Sequence, residues 1–178
     1  MKQSLFLLMV IALAAGAAAS GATTESRSSE LQKLEVSAGH WIYHGETLNT
    51  PFGKAGPWTW NEDCRWSENR EFMVCSFTND WAGRIAKSLV VDTWDGKDKS
   101  FWHYELFGSS AMQPFVSRMT INGNTRVEYA TSSEAGKKYQ TRITYVFDSP
   151  TRVNVKIEIS RHGALWVKVD QGEGLKQP

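Results

Sequence analysis

The sequence predicts an all-β fold, a single antiparallel meander of about ten strands closed into a barrel. Three observations carry that prediction. From residue 40 to residue 170 apolar and polar residues alternate in successive short runs, the period of a strand with one face buried. Turn residues punctuate the runs at short intervals, leaving almost no room for helix. A meander that long must also hide its edges, and closure removes them. A two-sheet sandwich is the competing architecture.

The elements follow in order. Ser29 to Val36 is a short amphipathic stretch that reads as a helical turn, and Gly39-His40-Trp41 follows it. The first run is His40 to Gly45. A long connection, Glu46 to Gly56, is marked by Pro51, Gly53 and Gly56 and carries Phe52. Trp58 to Trp66 and Glu71 to Asn79 are the second and third runs. Asp80 to Gly83 turns into the fourth, Ile85 to Trp94, and Asp95 to Lys99 is a hairpin loop before the fifth, Phe101 to Phe107. Ser109 to Pro114 interrupts the pattern. The sixth run, Phe115 to Ile121, meets Asn122-Gly123, a two-residue hairpin signal because both positions accept positive φ. Thr125 to Thr131, Tyr139 to Phe147, Arg152 to Ser160 and Leu165 to Asp170 complete the set.

Alternation assigns faces. Val153, Val155, Ile157 and Ile159 share one, as do Tyr139, Ile143, Tyr145 and Phe147. In the second run Trp58, Trp60, Glu62, Cys64 and Trp66 lie together. In the fifth, Trp102, Tyr104 and Leu106 are expected to point inward, because the opposite face carries His103 and Glu105. A two-residue turn at Asn69-Arg70 sets Cys64 opposite Cys75 on adjacent strands, which predicts a disulfide. Unpaired buried thiols are the alternative.

The N-terminus reads as a secretory signal peptide over residues 1–22. Lys2 precedes the apolar stretch Leu5 to Ala14, and small residues from Ala17 to Ala22 offer cleavage sites. That stretch falls short of the roughly 20 apolar residues of a permanent span. Residues 23–28 are expected to be a disordered leader, residues 29–171 the barrel and residues 172–178 a polar tail. The localisation expected is therefore periplasmic or secreted, with no membrane association after cleavage. The chain has 20 Lys and Arg against 19 Asp and Glu, and removal of Lys2 leaves the balance at zero. No basic stripe stands out, so nucleic acid is a poor partner.

Two stretches carry a resemblance. Leu31 to Trp41, a Leu-rich turn running into Gly-x-Trp, is followed by Val91-Asp92-Thr93-Trp94-Asp95-Gly96-Lys97 and then Phe101-Trp102. In these, and in strand order over most of the mature chain, the sequence resembles the uncharacterised lipocalin-like domain of unknown function 1579, a calycin-type barrel. The resemblance implies a closed or nearly closed barrel with no assigned biochemical role, and a structural part for Gly39 and Trp41 at the barrel floor. True lipocalins share the Gly-x-Trp opening but usually add a C-terminal helix, which is not legible here. Haem-binding barrels of the nitrobindin type place an axial His on a late strand, whereas His162 stands in a turn sequence before Gly163.

The chemistry-bearing residues point to binding before catalysis. Eight tryptophans are available to wall an apolar pocket or simply to fill the barrel. Glu62 shares the Trp face, where a charge is costly unless paired or set beside water. His40 and His44 are separated by roughly 13 Å along an extended strand, too far for one metal ion. Glu62 and Asp63 point to opposite faces, and no Gly-x-Ser-x-Gly elbow or phosphate loop appears. No catalytic residue, metal or cofactor is therefore assigned. The function expected is an exported protein that binds a small apolar or amphipathic molecule, lined by Trp58, Trp60, Glu62, Trp102, Tyr104 and Tyr145, with the Glu46–Gly56 loop as a flap. The alternatives are an interaction module with a solid interior and a small-substrate isomerase or hydrolase. Oligomeric state stays open.

Overall fold

A computed structural model describes residues 29–108, 113–134, 137–161, 163 and 165–178. The expected signal peptide and leader lie outside the described residues. Ten strands form one closed antiparallel barrel: β1 (Gly39–Thr47), β2 (Gly56–Trp66), β3 (Met73–Trp81), β4 (Arg84–Asp95), β5 (Ser100–Phe107), β6 (Phe115–Asn122), β7 (Thr125–Glu134), β8 (Lys137–Ser149), β9 (Arg152–Arg161) and β10 (Leu165–Lys176). Each strand pairs with its neighbours in sequence, and β1 closes the barrel against β10. One turn of α-helix, α1 (Ser29–Gln32), runs into a 3₁₀ segment, Lys33–Ser37. Among the described residues no helix is long and apolar enough to cross a membrane.

The helical segment floors one end. Leu34 is fully buried against Cys64, Met73, Cys75, Val90, Phe101 and Met119. The Trp41 indole donates to the Ser37 carbonyl at 3.2 Å, and Trp66 donates to Glu35 at 2.9 Å, tying floor to wall. A second apolar cluster, with Trp41, Tyr43, Trp58, Trp60, Phe147, Val153, Val155 and Ile157, fills the side made by β1, β2, β8, β9 and β10. At the other end the β1–β2 connection folds over the rim. Thr50 and Gly53 exchange backbone hydrogen bonds, and Phe52 meets the ring of Tyr139 at 6.1 Å and the Arg161 guanidinium at 5.1 Å.

Cys64 and Cys75 are directly opposite across β2 and β3 and form a disulfide. The hairpin phase set this pairing: Arg70 takes the positive φ of 58° that a tight turn there requires.

β10 runs on to Lys176, past Asp170, so the expected polar tail is largely strand. Its apolar signal stops because its inward positions become Gly172 and Gly174. Gly172 lies opposite Gly45 of β1, and a Cβ on either would enter the Trp58 ring, at 2.5 Å and 2.1 Å. A Cβ on Gly174 would meet the Tyr43 ring at 2.4 Å. Large rings from neighbouring strands fill the space that inward side chains would otherwise take.

The disulfide closes a short loop, its ends 11 positions apart in sequence. Replacing both cysteines by serine is expected to cost roughly 3 kcal/mol of unfolding free energy. Urea titration of oxidised protein against the double variant measures it.

Candidate functional site

Between the two apolar clusters lies a cavity of about 330 Å³. Its wall comes from nearly every strand. Tyr43, Trp60 and Glu62 stand on one side, Phe77, Asn79 and Trp81 on the next, and Ile143, Tyr145, Phe147 and Ile157 opposite. His103 and Glu105 from β5 and Arg126 and Glu128 from β7 complete it, with Ser37 beneath and Phe107 and Phe115 near the rim. The space is thus aromatic along its length and charged on one flank.

That flank corrects the inward assignment of β5. Phe101 and His103 are buried, whereas Tyr104 and Leu106 are 38% and 45% exposed. Trp102 also points outward, stacked against Tyr104 and covered by the Arg118 guanidinium at 4.8 Å. Trp102 and Tyr104 therefore do not line the cavity. Trp58 is interior but sits behind the wall, stacked on Trp60 with ring centroids 4.2 Å apart. Of the six expected lining residues, Trp60, Glu62 and Tyr145 reach the space. His40 and His44 face outward, bonded to Asn61 and Thr59.

The polar face of β5 turns inward because partners await it. His103 Nδ1 meets Asp92 Oδ1 of β4 at 2.8 Å. Arg126 bonds Glu128 through Nε at 3.0 Å, reaches Asp92 at 3.2 Å and donates to Ser37 Oγ at 3.2 Å. Ser117 donates to the second oxygen of Glu128 at 3.0 Å. Asp92 and Glu128 are each 1% exposed, so these contacts replace water almost completely. Two cations thus answer two anions inside the barrel.

The same contacts set the protonation states. Burial pushes the Asp92 carboxyl up, but Arg126 and His103 outweigh it and hold the group below its ordinary value. Burial works against the His103 cation, yet Glu128 and Asp92 prevail and raise its pKa to about 9. Among the described residues Glu62 belongs to no ion pair. Burial dominates there and raises its pKa to about 7, opposed by Arg126. Tyr43 donates to Glu62 at 3.2 Å. Burial likewise raises Glu105, which accepts from Ser88 at 2.6 Å. The Glu62 carboxylate lies within 4.8 Å of both cysteine sulfurs. The disulfide removes both thiolates, so this trio is no metal site.

Two polar atoms in the wall have no partner among the described residues: Nε1 of Trp60 and Oδ1 of Asn79, on residues paired in register across β2 and β3. Buried polar groups are normally hydrogen-bonded, so the pair marks where a bound molecule or water would be held.

His103, Arg126, Glu128 and Asp92 were not identified from the sequence. The hairpin loops held the clue: a turn over Asp95–Ser100 puts Asp92 opposite His103, and the turn at Gly123-Asn124, one residue later than the expected Asn122-Gly123, puts Met119 opposite Glu128. Asp92 and His103 thus meet across one hairpin, while Arg126 and Glu128 pair two residues apart on the interior face of β7.

No protein-family model and no curated protein sequence matches the chain. Solved structures share its fold. One is Rv2717c from M. tuberculosis, with a TM-score of 0.58 and 10% identity, covering 86% of this chain and 100% of that one. Another is the S-type phycobiliprotein lyase CPES from Guillardia theta, with a TM-score of 0.56 and 14% identity, covering 85% of this chain and 94% of that one. At such identity the likeness is one of fold.

Two predictions follow from the charge network. Arg126→Met strands two buried carboxylates and is expected to cost about 3–5 kcal/mol, read as a lower urea midpoint at unchanged slope. The second concerns pH. Glu62 holds its proton more tightly folded than unfolded, so its contribution is complete below the ordinary 4.5 and is lost as pH rises through about 7. His103 behaves alike in a higher window, complete below 6.5 and lost through about 9. Glu62→Gln is expected to remove the Glu62 share of the first decline and leave the second, a difference on the order of 3 kcal/mol at its upper bound. Unfolding free energies across both windows check this.

Proposed function

We propose that this chain is an exported small-molecule-binding barrel, holding an apolar or amphipathic ligand in its central cavity. The observation that carries the reading is the cavity itself: about 330 Å³ of space in a barrel whose side chains elsewhere pack closely. That volume is at the small end of ligand pockets, and its wall has the usual mixture of many apolar groups and few polar ones. The ligand's apolar part lies along Trp60, Phe77, Tyr145 and Ile157, and its polar part meets Trp60 Nε1, Asn79 Oδ1 and Glu62. The loop around Phe52, packed on the rim at Tyr139 and Arg161, is the flap of this reading. The disulfide suits an oxidising compartment and supports export, as does the apolar leader sequence. The shared fold with a phycobiliprotein lyase and the resemblance to the lipocalin-like domain of unknown function 1579 fit a container of this type.

A second reading has one observation behind it. Leu89, Tyr104, Leu106, Val116 and Tyr129 are exposed on the outer surface of β4 to β7, an apolar face of the kind used in protein contacts. In that reading the barrel acts through its surface.

Native mass spectrometry of protein purified gently from its own host separates the two. A non-covalent adduct that disappears on denaturation is expected. Ala86 stands in the cavity wall near the rim, and Ala86→Phe, which fills the space, is expected to abolish the adduct while the barrel stays folded. Trp60→Ala is expected to weaken retention of the adduct by tenfold or more, though loss of so buried a ring also costs about 3–5 kcal/mol of stability. An adduct that survives Ala86→Phe would move binding to the outer face.

A further inference from the structure

The interior charges say what kind of polar group the cavity accepts. Both cations are already engaged. Arg126 contacts Glu128, Asp92 and Ser37, and His103 contacts Asp92. An anionic head would find no free cation among the described residues of the wall, and it would face two further carboxyl groups. Among the described residues Glu62 accepts one hydrogen bond, from Tyr43, and Glu105 one, from Ser88. An ionised carboxylate accepts about four, so each keeps capacity towards the space it lines. The neutral network of two anions and two cations leaves Glu62 and Glu105 as excess negative charge.

Three independent features agree in sign. The wall is rich in aromatic rings, Trp60, Phe77, Trp81, Phe115 and Tyr145, whose π-systems attract cations, as the Arg126 guanidinium 5.1 Å from the Tyr145 ring already illustrates. Asn79 Oδ1, an acceptor without a donor among the described residues, stands in the same wall. Glu62 retains accessible surface although it sits deep in the barrel, because the cavity adjoins it.

Resting on the reading of this cavity as a ligand site, we infer that its ligand is a compact hydrophobic amine, bound as the cation with its ammonium group at Glu62. The groups facing Glu62 are Tyr43 from β1, Asp92 from β4, His103 from β5, Arg126 from β7 and Tyr145 from β8, with Glu105 further along β5 and Glu128 further along β7. Arg126 and His103 cancel Asp92 and Glu128 below about pH 9, so Glu105 and an ionised Glu62 leave the site net negative. Binding of a cation is therefore strongest where Glu62 is ionised, and protonation of Glu62 weakens it.

Three probes of one shape test this: adamantylamine, adamantanol and adamantanecarboxylic acid, titrated calorimetrically into the oxidised protein. The amine is expected to bind tightest, and its affinity to rise roughly tenfold between about pH 6 and pH 8 as Glu62 ionises. Glu62→Gln keeps an acceptor for Tyr43 and is expected to flatten that rise, lowering amine affinity about tenfold at the higher pH. If the alcohol or the acid binds tightest, or amine affinity is flat with pH, the charge assignment falls while small-molecule binding stands. If none of the three binds up to millimolar concentration, the charge assignment and the cavity reading fall together. If Glu62→Gln does not fold, the pH series on the unaltered protein still decides.

Discussion

Arg126 is a fully ionised guanidinium inside a barrel, and its neighbours are arranged to make that tolerable. It draws Glu128 from its own strand, Asp92 from β4 and Ser37 from the floor into contact, and Asp92 then holds His103. Removing charges of this kind from water costs several kcal/mol each unless every one is answered. The requirement fixes which face of β4, β5 and β7 turns inward, because a slip of one residue would expose the whole set and bury Trp102, Tyr104 and Tyr129 instead. It also keeps the floor in place, since the Ser37 hydroxyl belongs to the same network. Apolar packing gives this barrel its bulk, and the charged flank gives it its register.

The network also explains why there is a cavity. Charged side chains meeting in pairs leave gaps that aliphatic side chains would fill. Opposite them the aromatic wall is held flat against β1 and β10 by Gly45, Gly172 and Gly174, whose missing side chains let Trp58 and Tyr43 lie close to the sheet. Retreat of the rings on one side and pairing of the charges on the other leave the space between.

Much of the fold was legible in sequence. All ten strands fall on alternating runs, and the Cys64–Cys75 pairing followed from counting across one turn. The end of β10 was not legible, because glycine at inward positions carries no apolar signal. The candidate site was legible only on its aromatic side. Trp60, Glu62 and Tyr145 reach the cavity, but Trp102 and Tyr104 do not, and His103, Arg126 and Glu128 take part unforeseen. The rule that charge faces water fails on β5 because its charges find partners from strands distant in sequence. Alternation reports a strand's two faces but not which is inside.

The glycine seam between β1 and β10 bears on how the chain assembles. Nine of the ten strand pairings join neighbours in sequence, and such local contacts form quickly. The tenth joins Thr47 to Asp170 and Trp41 to Lys176, across nearly the whole folded chain. Its closure entropy makes it the natural last step. The rings of Trp58 and Tyr43 can settle against the glycines only when both strands have met, so shutting the barrel and completing its largest apolar cluster are one event. Until then the aromatic wall is an open sheet, and a ligand captured at that stage would meet an entrance as wide as the barrel itself.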